Sequence, residues 1–142
     1  MSYDLAVFEP RDELRYRKAF DEWYDRTTDW EKNFNYYNPE NVTGPLRLWL
    51  TEFTKAFPPL NGPMAPPIEQ LTAGIRTADH NVARDLIYIA FSWSDAELAY
   101  RTCFDLAKRF RVAFLDASGD EGAVWFPTEN GSLEIVHVYS DE

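Results

Sequence analysis

Apolar residues along this chain follow two periods, and the switches between them mark its elements. Tyr3, Leu5 and Val7 alternate with Asp4, Ala6 and Phe8, which predicts a strand covered on one face and partly on the other. Pro10 ends it. A helix is predicted from Arg11 to near Arg26, because Asp12 and Glu13 suit the positive end of its dipole and no Gly or Pro interrupts it. Leu14, Phe20, Trp23 and Tyr24 give that helix an imperfect apolar face. Residues 27–42 mix Trp30, Phe34, Tyr36 and Tyr37 with Asn and Asp, the pattern of an ordered loop. A second helix follows Thr43 as N-cap, with Pro45 tolerated in its first turn. Leu46, Trp49, Leu50, Phe53 and Phe57 fall on one helical stripe, and Pro58-Pro59 stops it.

Residues 58–67 hold five of the nine prolines, and Asn61-Gly62 marks a turn within them. The stretch 68–84 reads two ways, with a candidate strand near Ala73–Ala78. Leu86 to Phe91 is a continuous apolar run rich in β-formers and predicts a central strand. Ser94 and Glu97 have the spacing of a capping box. The helix they open carries Ala96, Ala99, Tyr100, Cys103, Ala107 and Phe110 on one face, and Lys108, Arg109 and Arg111 close it. Strands are then predicted at Val112–Leu115, Ala123–Phe126 and Leu133–Val138, separated by turns at Gly119–Gly122 and Glu129–Gly131. A helix between the Leu86 and Val112 strands is long enough for a crossover, which makes those strands parallel or separated by another strand. The fold class that follows is α+β in one domain, residues 1–142. It has a mixed, mostly antiparallel sheet with about three helices on one face, close to a ferredoxin-like split βαβ plan.

Composition narrows the function classes. The formal net charge is −10, which disfavours nucleic acid and anionic membrane as partners and suits a basic protein surface. Acidity of this kind also serves solubility alone. The N-terminus lacks the basic and long apolar regions of a signal peptide, and no apolar run reaches membrane-span length, so a cytoplasmic location is expected. Cys103 is the single cysteine and sits on an inward stripe, where a thiol acts as a small hydrophobe. His80 and His137 lie on different elements without metal-ligand spacing. No phosphate-cradling glycine loop and no nucleophile elbow are present. No catalytic set, metal or cofactor is therefore expected.

Two groups of residues remain as candidate binding positions. Trp30, Phe34, Tyr36 and Tyr37, with Leu60 and Met64 of the proline-rich bend, are large side chains on non-helical segments, the residue types enriched at interface centres. The same side chains could instead fold back to seal the core. Asp116, Asp120 and Glu121 cluster after the Val112 strand, and Asp4 and Glu9 lie on or after the first strand. Carboxylates gathered at strand ends can bind a cation or share a proton, and a solvated turn is the plainer alternative.

The opening Met1 to Phe8, the Phe20-Asp21-Glu22-Trp23-Tyr24 stretch, the Phe57 to Pro63 bend and the Ile87 to Ser94 segment together resemble a group of small uncharacterised bacterial cytosolic proteins. Small acidic proteins of that type are similar in size and charge to immunity proteins paired with antibacterial toxins. What the resemblance implies is a bacterial cytosolic protein; by analogy with immunity proteins, the charge of −10, the aromatic and proline-rich loops and the lack of a nucleophile–base pair lead to the expectation of an antitoxin-like or regulatory protein that neutralises a partner protein through acidic and aromatic loops. The alternative is a small enzyme or ligand-binding domain with a carboxylate and tyrosine pocket, in which Asp116, Glu121 and Tyr88 come first.

Overall fold

β1 (Tyr3–Phe8) is the strand expected at the start of the chain, and it lies in the middle of the sheet. The computed structural model describes residues 1–139. α1 (Arg17–Thr27), α2 (Gly44–Ala56) and a short α3 (Ile68–Thr72) precede the hairpin of β2 (Asp79–Val82) and β3 (Leu86–Phe91). After them come α4 (Ala96–Phe110), β4 (Ala113–Leu115), β5 (Val124–Pro127) and β6 (Leu133–His137). The sheet order is β2-β3-β1-β4-β5-β6, and every neighbouring pair is antiparallel. The fold is α+β.

β3 and β4 both run antiparallel to β1, which lies between them, so the α4 connection joins two parallel strands separated by a third. With α2 as the other crossover, the order β2-β3-β1-β4 is that of the ferredoxin-like plan, and β5 and β6 extend the β4 edge. The sheet is wholly antiparallel rather than mixed.

All of β1 is buried except Asp4, and its two faces meet different helices. Leu5 and Val7 pack with Ile87, Ile89 and Phe91 against Leu46, Trp49, Leu50 and Phe53 of α2 and Ala99, Cys103 and Ala107 of α4. Trp49 stacks on Phe53 at 4.6 Å, Phe53 on Phe57 at 5.4 Å, and both phenylalanines meet Phe91 edge-on. Trp49 Nε1 also donates to the Cys103 carbonyl at 3.3 Å, which ties α2 to α4. The other face carries Ala6, Phe8, Leu86, Leu115 and Phe126 against Leu14, Phe20 and Trp23. The helices are thus divided: α2 and α4 on one face, α1 on the other, rather than three on one. Ala6 and Phe8 point away from Val7, and burying them required a helix there.

The helix expected from Arg11 to Arg26 is broken. A 3₁₀ turn spans Asp12–Arg15, Tyr16 is extended, and α1 starts at Arg17. In one continuous helix Leu14 and Trp23 would lie about 180° apart, since each residue turns the axis by about 100°. The break brings both onto the core, and the Leu14 carbonyl accepts from His137 Nε2 at 2.8 Å. The expected capping box does not form either. A 3₁₀ turn covers Trp93–Asp95, Ser94 Oγ pairs with Ser92 Oγ at 2.9 Å, and Glu97 is held by Arg101. In the stretch that read two ways, the strand is Asp79–Val82 and Ile68–Thr72 is helical. Ala78 makes only a single bridge, to Pro59.

His80 of β2 points into the core, donating from Nε2 to the Phe57 carbonyl at 2.8 Å and lying on Phe53. Burial pulls its pKa from 6.5 down to about 4, partly offset by that hydrogen bond. The unfolded chain therefore takes the proton first. The stability His80 contributes is fully present above pH 6.5 and is lost as the pH falls through 4. Between about pH 7.5 and about pH 5 the loss from this one group is about 2 kcal/mol. Urea denaturation at the two pH values is expected to show that loss in the parent chain and a smaller one in His80→Gln, which keeps a donor for Phe57. Equal losses would mean that His80 is not held neutral in the fold.

Candidate functional site

The loop between α1 and α2 builds an aromatic wall on the α1 face of the sheet. Trp30 stands edge-on to Tyr88 of β3, with centroids 5.9 Å apart, and to Tyr36 at 5.0 Å. Tyr36 meets Phe34 at 4.6 Å, and the Arg84 guanidinium lies 5.5 Å from the Phe34 ring centre. A run of contacts therefore leads from the sheet through Trp30 and Tyr36 to Arg84. Backbone bonds hold it in place: the Tyr36 hydroxyl accepts from the Glu31 amide at 2.9 Å, and the Tyr36 carbonyl from the Val82 amide at 2.8 Å. Asn41 Nδ2 donates to the Val82 and Asn35 carbonyls, both at 2.8 Å. The loop thereby takes both backbone groups of Val82 on the outer edge of β2, which shortens the edge open to strand pairing.

Phe34 and Tyr36 are half-buried, but Trp30 stays 41% exposed and Tyr37 43%. Tyr37 joins this loop to the proline-rich bend. A Cβ at position 62 would stand 2.6 Å from Tyr37 Cβ, and Gly62 has a φ of +89°, so only glycine fits that approach. Next to Gly62 in the bend, Leu60 is 48% exposed, while Met64 is half-buried. Between the loop and the β2–β3 turn lies a cleft of about 170 Å³, with Phe34 and Tyr36 on one side and Arg26, Arg84, Asp29 and Glu31 around it. Asp85, also at its wall, is already engaged by Arg11 at 2.7 Å and by Trp23 Nε1 at 3.2 Å.

Beneath Trp30, Tyr88 donates its phenol to Asp4 Oδ2 at 2.5 Å. Register explains the meeting. Asp4 pairs with Ala90 and Ala6 with Tyr88, so Tyr88 is the diagonal neighbour of Asp4 on one sheet face. Ser2 Oγ donates to the other carboxylate oxygen at 2.6 Å, and Ser118 Oγ accepts from the Asp4 amide at 2.7 Å. Burial, then the Asp4 carboxylate, push the Tyr88 phenol far up, and burial takes Tyr24 up to about 12. Both phenols keep their protons at neutral pH, so the pair acts as donor and acceptor and supplies no base.

The acidic trio is not brought together. Asp116 follows β4 on the α4 face, near Tyr3 and Tyr100, and burial raises its carboxyl against the opposing Gly119 hydrogen bond. Its Oδ1 has no hydrogen-bond partner among the described residues. Asp120 and Glu121 are exposed on the β4–β5 turn, where the Glu121 carbonyl accepts from the Tyr139 amide at 2.6 Å. The described residues contain no group of three or more His, Cys, Asp or Glu side chains placed to hold a metal ion. Nor do they contain a helix long and apolar enough to cross a membrane. Cys103 is buried, and burial raises its thiol well above the ordinary range.

No protein-family model matches this chain, and no curated protein or solved structure does either.

Composition alone marked the aromatic loop, whereas Arg84 as its cationic end and Asp4 as the partner of Tyr88 had no local signal. Removing the phenol in Tyr88→Phe leaves a partly buried carboxylate short of one donor and is expected to cost about 1–3 kcal/mol. A double-mutant cycle with Asp4→Asn, read by urea unfolding, should give a coupling above about 1 kcal/mol. Additive losses would show that the two groups are neighbours without mutual stabilisation.

Proposed function

We propose that this chain is a protein-binding domain of the bacterial cytoplasm, an immunity-type or regulatory protein that neutralises a basic-surfaced partner. The observation that carries this reading is the exposure of Trp30 and Tyr37 on a loop whose backbone is tied to β2. Large aromatic side chains held in fixed positions and left in water are the usual anchors of an interface. They enter a partner at low entropic cost when their loop is already ordered. The exposed Leu60 beside Gly62 extends that surface, and the net charge of −10 steers encounter with a cationic rim. Acidic side chains at the rim then set rate and register, while the aromatics supply the buried contact.

The alternative, a small-molecule pocket built from carboxylates and tyrosines, is weakened by the separation of Asp116 from Tyr88 on opposite faces of the sheet and by the raised pKa of the half-buried Tyr24 and Tyr88 phenols.

Affinity capture of the tagged chain, co-expressed with the products of its neighbouring genes, tests the proposal. The expected result is a stoichiometric partner released by Trp30→Ala or Tyr37→Ala and weakened as salt rises. Encounter driven by charge should lose association rate with added salt, whereas the loop variants should mainly speed dissociation. Capture unaffected by either loop variant, or no stoichiometric partner at low salt, would remove the protein-binding reading and favour a ligand pocket.

A further inference from the structure

The α4 face of the sheet, opposite the aromatic wall, carries an open groove of about 540 Å³ lined by Tyr3, Tyr100, Phe104, Glu97, Asp105 and Arg101. Its apolar floor is aromatic. Tyr100 and Phe104 stack at 5.8 Å with their planes 10° apart, Phe104 meets Trp125 edge-on at 5.0 Å, and Tyr3 lies 5.1 Å from Trp93. Trp93 is 51% exposed at the start of α4.

Charge around this floor is acidic. Asp116 stands near Tyr3 and Tyr100, and its negative charge adds to burial in raising both phenols. The one cation lining the groove, Arg101, is held by Glu97 at 3.2 Å. Two buried polar atoms adjoining the floor, Asp116 Oδ1 and Trp125 Nε1, have no partner among the described residues. Seven arginine–ring pairs occur among those residues, over Trp23, Phe126, Phe20, Tyr139, Phe57, Phe34 and Phe110. None covers Tyr3, Trp93, Tyr100 or Phe104. This acid-flanked aromatic surface is thus one that the chain's own arginines leave without a stacked guanidinium.

We propose that this groove seats an arginine side chain presented by a basic segment of a partner protein, its guanidinium lying on the half-buried Tyr100 and Phe104 rings and facing the exposed carboxylates of Glu97 and Asp105, with the Asp116 charge nearby. A planar guanidinium stacks on rings and forks onto carboxylates at once, which a lysine ammonium does not. A free small ligand is normally enclosed over most of its surface, and this groove is open, so its occupant is delivered on a larger body. The proposal rests on the protein-binding reading above and adds a second surface to it, on the other face of the sheet.

An NMR titration of the full chain with an acetylated, amidated glycine–arginine pentapeptide tests it, with lysine and citrulline versions and free arginine amide as controls. Saturable shifts at the Trp93 and Trp125 indoles and along residues 96–105 are expected, strongest for the arginine peptide and absent for citrulline. Glu97→Lys with Asp105→Lys, both on the exposed side of α4 and harmless to the core, should weaken binding by about tenfold or more. Tyr100→Leu should weaken it as well. Diffuse, non-saturating shifts over the acidic surface would overturn the proposal. So would unchanged affinity in the double lysine variant, equal binding of citrulline, or free arginine amide binding as tightly as the peptide. Shifts confined to Trp30 and Tyr37 would remove this groove and leave the loop reading standing. Shifts confined to the groove, in a chain whose loop variants still capture a partner, would do the reverse.

Discussion

Strand β1 must be covered on both faces, and the rest of the structure answers to that demand. Leu5 and Val7 on one side and Ala6 and Phe8 on the other leave no face that water can occupy, so helices are needed above and below the sheet. α2 and α4 supply one cover through the crossovers of a split βαβ plan. α1 supplies the other, and it can do so only because the chain breaks at Tyr16 and lets Leu14 and Trp23 reach the same core. Burying a side chain of this size stabilises the fold by about 1.5–3 kcal/mol, far more than an unbroken helical turn would contribute.

The single polar interruption of β1, Asp4, is where packing meets the candidate site. A carboxylate beside a core needs donors, and Tyr88 and Ser2 provide them. Tyr88 in turn presents its ring to Trp30, so a requirement of the sheet sets the place of an exposed anchor. The edge of β2 imposes a parallel requirement. Its free amide and carbonyl at Val82 are taken by Tyr36 and Asn41, and that pairing holds the segment carrying Tyr37 against the proline-rich bend. Both proposed surfaces are by-products of closing a small sheet: one where a loop covers an edge, one where α4 leaves its Tyr100 and Phe104 rings half-buried beside Tyr3.

Much of this was legible in the residue pattern. α2 and α4 announce themselves by helical periodicity, β1 by alternation and β3 by a continuous apolar run, because their buried positions admit few polar exceptions. The position of α1 was not, since its stripe is imperfect for a reason outside itself: the Phe8 and Phe126 surface it must fit. The capping box at Ser94 failed because Trp93 to Asp95 tighten into a 3₁₀ turn and Asp95 is engaged by Arg76 at 3.3 Å. The aromatic loop stood out by composition. The Asp4–Tyr88 bond did not, because it exists only in one strand register, and a shift of one residue would send Tyr88 to the opposite face. The α4 groove was equally hidden. Tyr3 reads as a strand residue and Tyr100 as core, and only the topology sets them side by side with Asp116, which sequence alone had grouped with Asp120 and Glu121.

The central claim is that Trp30 and its neighbours are held ready by the sheet rather than ordered by a partner. Amide hydrogen exchange of the free chain tests it most directly. Slow exchange is predicted for the amides of Glu31, Tyr37 and Val82, whose acceptors are the Tyr36 hydroxyl, Asn35 and the Tyr36 carbonyl. In Tyr88→Ala, which removes the ring that Trp30 meets, the protection should fall across residues 30–37 while β5 and β6 keep theirs. Free exchange of those loop amides in the parent chain, or a loop indifferent to the loss of the Tyr88 ring, would contradict the account.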